Sequence, residues 1–398
     1  MSVTAARGFR AAGVCAGLKA SGKPDLALVV NDGPLDTAAG VFTTNRVVAA
    51  PVVWSRRLLA GQEGGRPGHA RAVVLNSGSA NACTGEQGLR DTEATAACTA
   101  GLLRTEPGQV LVCSTGVIGE RIDMPVLLEG IDVAALALAD TPRAGTDAAT
   151  AIMTTDTVSK EDILTVGTGE KGWTIGGMIK GVGMLAPGLA TMLAVITTDA
   201  VLTPREAQDA LASVTARTVN RINSDGCMST NDTVLLLASG ASGVTPSRAE
   251  FDEALTDVMG RLGRRLVADA EGATHDIAIT VSGAVSEAAA EAAARTVSSS
   301  NLLKCAVAGA DPNWGRVLSQ LGTVPEDVCP FKPDEVDVTI NGVTIFRHGA
   351  PDQDRDSVDM SPRETRIDIA LSAGQAEATV WTNDLTHGYV TINADYTT

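Results

Sequence analysis

The chain has 398 residues, 47 of them acidic and 31 basic, for a net charge of −16. That excess repels phosphate backbones and anionic membranes, and with aromatics at 3% few platforms exist for stacking bases. Nucleic acid and membranes are therefore not expected partners, and the length suits two domains or one large unit later divided.

No apolar run reaches the roughly 18–20 residues of a membrane span. The opening segment, with Arg7 and Arg10, is too short and too weakly apolar for a secretion signal. The seven cysteines (Cys15, Cys83, Cys98, Cys113, Cys227, Cys305, Cys329) form no C-x-x-C pair, and the four histidines lack zinc spacing. Buried, reduced thiols in a cytoplasmic protein without a metal are the expectation.

In chain order, residues 72–75 read as an apolar strand entering the small-residue loop NSGSANACTG (76–85). Asp91 is expected to cap an alanine-rich helix ending near Pro107 and Gly108. Residues 110–113 then form a strand delivering the loop STGVIG (114–119). Capping boxes at Thr203–Glu206 and Ser247–Glu250 start two helices, the first with proline at its first position. Behind the second, Phe251, Leu255, Val258, Leu262 and Leu266 recur every three or four residues, the face of an amphipathic helix.

From Asp276 onward the pattern changes. Ile277, Ile279 and Val281 alternate as a strand, and Ser286 caps an Ala/Glu helix. Residues 336–346 alternate around Asn341-Gly342, a hairpin signal. Residues 365–371 and 376–381 read as a second strand pair. These elements give a mixed α/β arrangement, with a second, smaller α/β domain over 279–385.

The most informative stretch is KGVGMLAPGLATML (180–193), continuing to Thr198. A cationic, glycine-rich loop leads to a small residue, a threonine and an apolar β-branched run, which reads as a buried strand with Thr191 at its first position. That context suits self-processing. The Thr191 hydroxyl attacks the Ala190 carbonyl, the acyl group shifts to oxygen, and water releases a new N-terminal threonine. Its α-amine, with a pKa near ~7.7–8.0, can take the hydroxyl proton at neutral pH. Taken on spacing alone, Thr191 could be an ordinary strand residue and Lys180 a solvated surface lysine.

The segment resembles the processing site of the ornithine acetyltransferases (ArgJ, bifunctional glutamate N-acetyltransferase), with pattern K-G-x-G-M-x-x-P-x-x-A-T-M/L-L. Further blocks look like that family's, in its order: GFRAAG (8–13), residues 76–85, STGVIG (114–119), IMTTD (152–156), STNDT (229–233), DAEG (269–272), DPNWGR (311–316), LTHGYV (385–390) and NADYTT (393–398). The resemblance covers essentially the whole chain.

It implies cleavage between Ala190 and Thr191 into an α chain (1–190) and a β chain (191–398), interleaved so that neither buries its own core. It further implies the family's fold, a layered α/β sandwich (1–278) analogous to other N-terminal nucleophile proteins, with a C-terminal tail (386–398) returning to the active site. Thr191 would carry the acetyl group of N-acetylornithine to glutamate by a ping-pong route, and some members also accept acetyl-CoA. Thr115, by its hydroxyl, and Gly116, by its backbone N–H, would stabilise the oxyanion. Thr154, Lys180, Thr191, Glu271, Asn393 and Thr398 would bind substrate, with Lys180 supplying the local cation an acidic protein needs for a carboxylate. No cofactor is implied, and family members assemble as heterotetramers of two α and two β chains.

Other motifs are absent. Residues 167–171 lack the order of a P-loop, no serine satisfies G-x-S-x-G, and the glycines at 176–183 precede a strand rather than join strand to helix. The sequon at Asn231 is expected to be structural, and Trp314 to serve packing. Rival readings are a self-processing amidohydrolase or aminopeptidase on the same scaffold, an uncleaved binding protein, and a paralogue serving secondary metabolism with other acyl donors. Val182, where the family commonly has serine, bears on donor preference.

Overall fold

Alternation along two central strands sets the layering. The computed structural model describes residues 2–184 and 192–395. Within it, Leu193–Thr198 and its parallel neighbour Thr233–Ala238 are buried at every position. Val195, Leu235 and Leu237 enter one apolar cluster, whereas Ala194, Ile196, Val234 and Leu236 enter another. Successive strand side chains point to opposite faces, so a strand apolar throughout must be covered on both.

The cover differs on the two sides. The strands are central in a five-stranded sheet ordered Thr37–Phe42, Thr233–Ala238, Leu193–Thr198, Trp173–Lys180, Lys160–Val166. One face packs on a four-stranded sheet ordered Phe9–Val14, Leu26–Asn31, Ala72–Ser79, Val110–Val117. The other packs on the helices Pro204–Arg217 and Arg248–Ala268. Helices Gly85–Leu103, Met124–Leu136 and Pro142–Ala151 pack on the four-stranded sheet. The architecture is thus a layered α/β sandwich.

Both capping boxes form, with the Thr203 and Ser247 hydroxyls each accepting from the backbone N–H three residues on. Phe251, Leu255, Val258, Leu262 and Leu266 are all buried in the second cluster. Burial of such side chains is worth about 1.5–3 kcal/mol each, which fixes that helix to the sheet.

Several expectations are corrected. The strand from Ala72 runs to Ser79 and that from Val110 to Val117, each taking in residues read as loop. The parallel pairing of the two continues across the polar residues, so backbone hydrogen bonding overrides their small, polar composition. The helix expected to start at Asp91 begins at Gly85, and Asp91 instead receives a bidentate pairing from Arg121. The cysteines are free, as expected, but Cys15, Cys83, Cys227 and Cys305 are exposed and only Cys113 and Cys329 are buried. Small or apolar flanking residues did not decide their burial. Among the described residues no helix is long and apolar enough to cross a membrane.

A third apolar cluster gathers side chains between Ile277 and Val380 under a six-stranded sheet. The hairpin around Asn341 and Gly342 forms, with φ of 46° and 84° at those residues. Trp314 stacks on Phe346 with centroids 4.8 Å apart. Strands Glu364–Ala370 and Ala376–Asn383, however, do not pair with each other. Asp276–Ala284 lies between them, parallel to the first and antiparallel to the second. Their connection must therefore cross the end of the intervening strand, where Ala373 and Gly374 donate backbone N–H groups to the Gly283 carbonyl. A Cβ on Gly374 would lie 2.2 Å from the Ala284 carbonyl oxygen.

Gly374→Ala should therefore destabilise the protein by about 1–3 kcal/mol, the usual cost of overpacking. Urea unfolding midpoints check this, and an unchanged midpoint would mean the crossing is looser than described.

Candidate active site

Three strand ends in one sheet meet one strand end from the other. Lys180 is the last residue of Trp173–Lys180 and stands opposite Leu193 in the antiparallel ladder. Leu193 in turn pairs with Thr233, directly after Asp232. From the facing sheet come Thr115 and Gly116, near the end of Val110–Val117. Thr154 and Thr155 follow the helix Pro142–Ala151, and Glu271 follows Arg248–Ala268. Asn393 sits on a helix, His387–Asp395, formed by residues read as a tail.

These side chains line one cavity of about 150 Å³: Thr115, Gly116, Thr154, Thr155, Lys180, Glu271 and Asn393, with Val182, Gly183 and Met184. Gly116 has φ of 134°, and a Cβ there would lie 2.3 Å from the Gly78 carbonyl carbon, so only glycine fits the kink where the ladder register shifts. Of the residues singled out by sequence, Thr115, Gly116, Thr154, Lys180, Glu271 and Asn393 are thus brought together. Ala190, Thr191 and Thr398 lie outside the described residues. The strand expected to open at Thr191 is described from Met192 onward, and its ladder begins at Leu193.

Lys180 is no surface lysine, being 1% exposed. Its Nζ donates to Thr154 Oγ1 at 2.8 Å and Thr115 Oγ1 at 3.4 Å, and Asp156 Oδ2 is 3.8 Å away. Burial pushes its pKa down, opposed by the charge of Asp156 and reinforced by that of Lys160. Burial pushes the Asp156 carboxyl up, but Lys180 and Lys160 override this and hold it down at about 2. Asp156 also accepts from the Thr154 and Gly181 N–H groups at 3.0 and 2.8 Å.

Glu271 also lines the cavity. Its oxygens accept from Thr155 Oγ1 at 2.9 Å and Asn393 Nδ2 at 3.0 Å. Among the described residues no cation lies within ion-pair distance of it, so it remains open to an amino group. The cavity lining thus carries both an ammonium and a carboxylate, each hydrogen-bonded to hydroxyls: Lys180 to those of Thr154 and Thr115, Glu271 to that of Thr155.

Sequence reasoning did not single out Asp156, Lys160, Asp269 or Asp232. The three aspartates sit inside the quoted blocks IMTTD, DAEG and STNDT, but only as neighbours of other residues. Asp232 is fully buried. Its Oδ1 accepts from the Met192 N–H at 3.0 Å, and its Oδ2 has no hydrogen-bond partner among the described residues. Burial raises its pKa well above the ordinary carboxyl value, against the Met192 N–H and the charge of Lys180. Asn231 beside it is buried too, donating to the Ala80 and Ser114 carbonyls, a structural role as expected of the sequon.

The fold is thus a layered α/β sandwich whose strand ends enclose a small cavity lined by groups of both charges. The chain belongs to the ArgJ family, which it matches over residues 10–398. It is 58% identical over 398 residues to the arginine biosynthesis bifunctional protein ArgJ of Bifidobacterium longum, covering all of both chains. It is 54% identical over 396 residues to the protein of that name from Streptomyces coelicolor, again over the whole of each. Among solved structures it is similar to an ornithine acetyltransferase from Mycobacterium tuberculosis complexed with ornithine. That match is 49% identical, with a TM-score of 0.44, over 48% of this chain and 96% of the other.

The raised Asp232 carboxyl has a consequence for stability. A folded pKa above the unfolded one gives stability that is complete below the unfolded value and is lost as pH rises through the folded value. Asp232→Asn should therefore be most stabilising, relative to wild type, at the alkaline end of a pH series of urea midpoints. A difference that stays flat with pH would show that Asp232 titrates normally.

Proposed function

We propose that this enzyme of arginine biosynthesis transfers the acetyl group of N-acetylornithine to glutamate, giving ornithine and N-acetylglutamate, with Thr191 as the relay. The observation that carries the reading is the one cavity that Lys180 and Glu271 line together with Thr115 and Gly116. Lys180 and Glu271 suit the carboxylate and amino groups of ornithine and glutamate, and the chain's family supplies the reaction.

In this reading the precursor cuts itself between Ala190 and Thr191. The Thr191 α-amine then accepts the hydroxyl proton as Oγ attacks the acetyl carbonyl. The oxyanion that forms is met by the Thr115 hydroxyl and the Gly116 N–H, donors fixed in place before the reaction. Lys180 donates to Thr115 Oγ1, which aims that hydroxyl's own proton away from the ammonium and toward an acceptor in the cavity. Collapse breaks the C–N bond, the proton passes to the leaving amine, and ornithine departs. Glutamate's amine then attacks the threonine ester by the same path in reverse.

Glu271 would hold an amino group, ornithine's or glutamate's, and Lys180 with Thr154 a carboxylate. Asn393 and Thr398 would complete the pocket from the C-terminus. The same reading divides the chain into residues 1–278, 279–385 and 386–398. It assembles two copies each of fragments 1–190 and 191–398 into a cytoplasmic heterotetramer. Acetyl-CoA as a second donor is in keeping with the word bifunctional in the relatives' names.

Thr191→Ala should give one uncleaved 398-residue chain without transferase activity, whereas the wild type should give two pieces, one starting at Thr191, by intact mass and N-terminal sequencing. Normal acetyl transfer by the variant would sink the mechanism. Acetate released in place of acetylglutamate would favour the hydrolase reading.

Lys180→Met should raise the KM for glutamate by roughly 10–100-fold, the worth of a hydrogen bond to a charged group, with a smaller change in thermal stability. An unchanged glutamate response would remove Lys180 from substrate binding.

A further inference from the structure

Next to the cavity lies a set of buried charges, Asp156, Lys160 and Asp269, none of which lines it. Lys160, the first residue of its strand, is fully buried, and its Nζ bonds Asp156 Oδ1 at 2.7 Å and Asp269 Oδ2 at 2.6 Å. Each aspartate holds a different segment. Asp156 accepts from the backbone of Thr154 and of Gly181, directly after Lys180. Asp269 stands two residues before Glu271 and accepts from the N–H and hydroxyl of Thr157.

We propose that Lys160 is a positioning residue for the reaction: it ties the segment bearing Lys180 to the segment bearing Glu271, and so sets the separation of the two charged groups that hold an amino acid. Its charge has a second effect. Asp156 lies 3.8 Å from the Lys180 ammonium but 2.7 Å from that of Lys160. With Asp156 answered by Lys160, the Lys180 ammonium keeps its hydrogen bonds to Thr154 and Thr115 and faces the substrate carboxylate. Without Lys160, Asp156 would draw Lys180 back as its sole close counter-ion. A buried carboxylate left without a partner is costly, so this competition is strong.

The pH response has a definite sign. The charged groups acting on Lys180 are Asp156, Asp232 and Glu271, which favour its ammonium form, and Lys160, which disfavours it. Lys19, held by the Pro24 and Met153 carbonyls, is a further cation coupled to Lys180. Asp269 is taken up by Lys160 and Thr157. Removing Lys160 deletes a repulsion, so Lys180 should lose its proton at higher pH.

This inference rests on the proposed acetyl transfer, and the test separates the two. In cleaved Lys160→Met enzyme, KM for glutamate should rise about tenfold or more, kcat should fall less, and the alkaline limb of kcat/KM should move to higher pH. Lys160→Arg, which keeps a cation between the two aspartates, should recover most of the KM. Should Lys160→Met fail to fold, Asp269→Asn loosens only the Glu271 side. It should raise KM for glutamate while leaving the alkaline limb in place. An active wild type whose KM and pH profile are unmoved by Lys160→Met, or by Asp269→Asn in its place, would overturn the brace alone. A Lys160→Arg variant no better than Lys160→Met would do the same. A wild type that transfers no acetyl group to glutamate would overturn both readings.

Discussion

Everything at the cavity depends on keeping a lysine ammonium out of water. An ion of that size loses several kcal/mol of solvation even after the protein relaxes around it, and the fold meets that cost with oxygen atoms already held by backbone. Thr154 and Thr115 reach Lys180 from two different layers, and Asp156 stands behind. Asp156 is itself tied to the Thr154 and Gly181 N–H groups, so the anion cannot drift toward the cation it stabilises. The layered core serves this arrangement. Two sheets packed face to face bring the ends of Trp173–Lys180 and Val110–Val117 within hydrogen-bond reach, which neither sheet alone could do.

A protein of net charge −16 that handles carboxylates must solve the problem locally. The solution is not a basic surface patch. Three lysines, Lys19, Lys160 and Lys180, are gathered near one another and each is fixed by short bonds to carbonyl, hydroxyl or carboxylate oxygens. Low polarity strengthens every such interaction, so a single buried ammonium can outweigh a distant excess of surface acids. The same low polarity leaves Asp232 protonated more readily than a surface aspartate.

Local signals in the sequence were legible where local physics decides. Capping boxes at Thr203 and Ser247, the helix face from Phe251 to Leu266 and the Asn341-Gly342 turn each need only a few neighbouring residues. Long-range pairing was not legible. The strand Asp276–Ala284 enters between Glu364–Ala370 and Ala376–Asn383, and nothing in the short connection announces the insertion except the close approach at Gly374. Asp91 looked like a helix cap because its partner, Arg121, lies thirty residues away. The site divides the same way. Lys180, Glu271, Thr115 and Asn393 came from family resemblance, and their convergence is a property of the fold. Lys160 carried no signal at all, since a lone lysine at the start of a strand reads as solvated until its two aspartates arrive from other segments.

One feature of the central sheet bears on how such a molecule is made. Its five strands come from both sides of the Ala190–Thr191 bond, and residues 175–180 are laddered one by one to Leu193–Thr198. While the chain is continuous, that ladder closes a short loop, and its entropic cost is small. After the proposed scission the same contacts would have to be found by two separate molecules, at a cost that grows with dilution. The finished protein would then be a product that its own pieces cannot readily rebuild. Its lifetime would be governed by the height of the unfolding barrier rather than by an equilibrium with the unfolded chains.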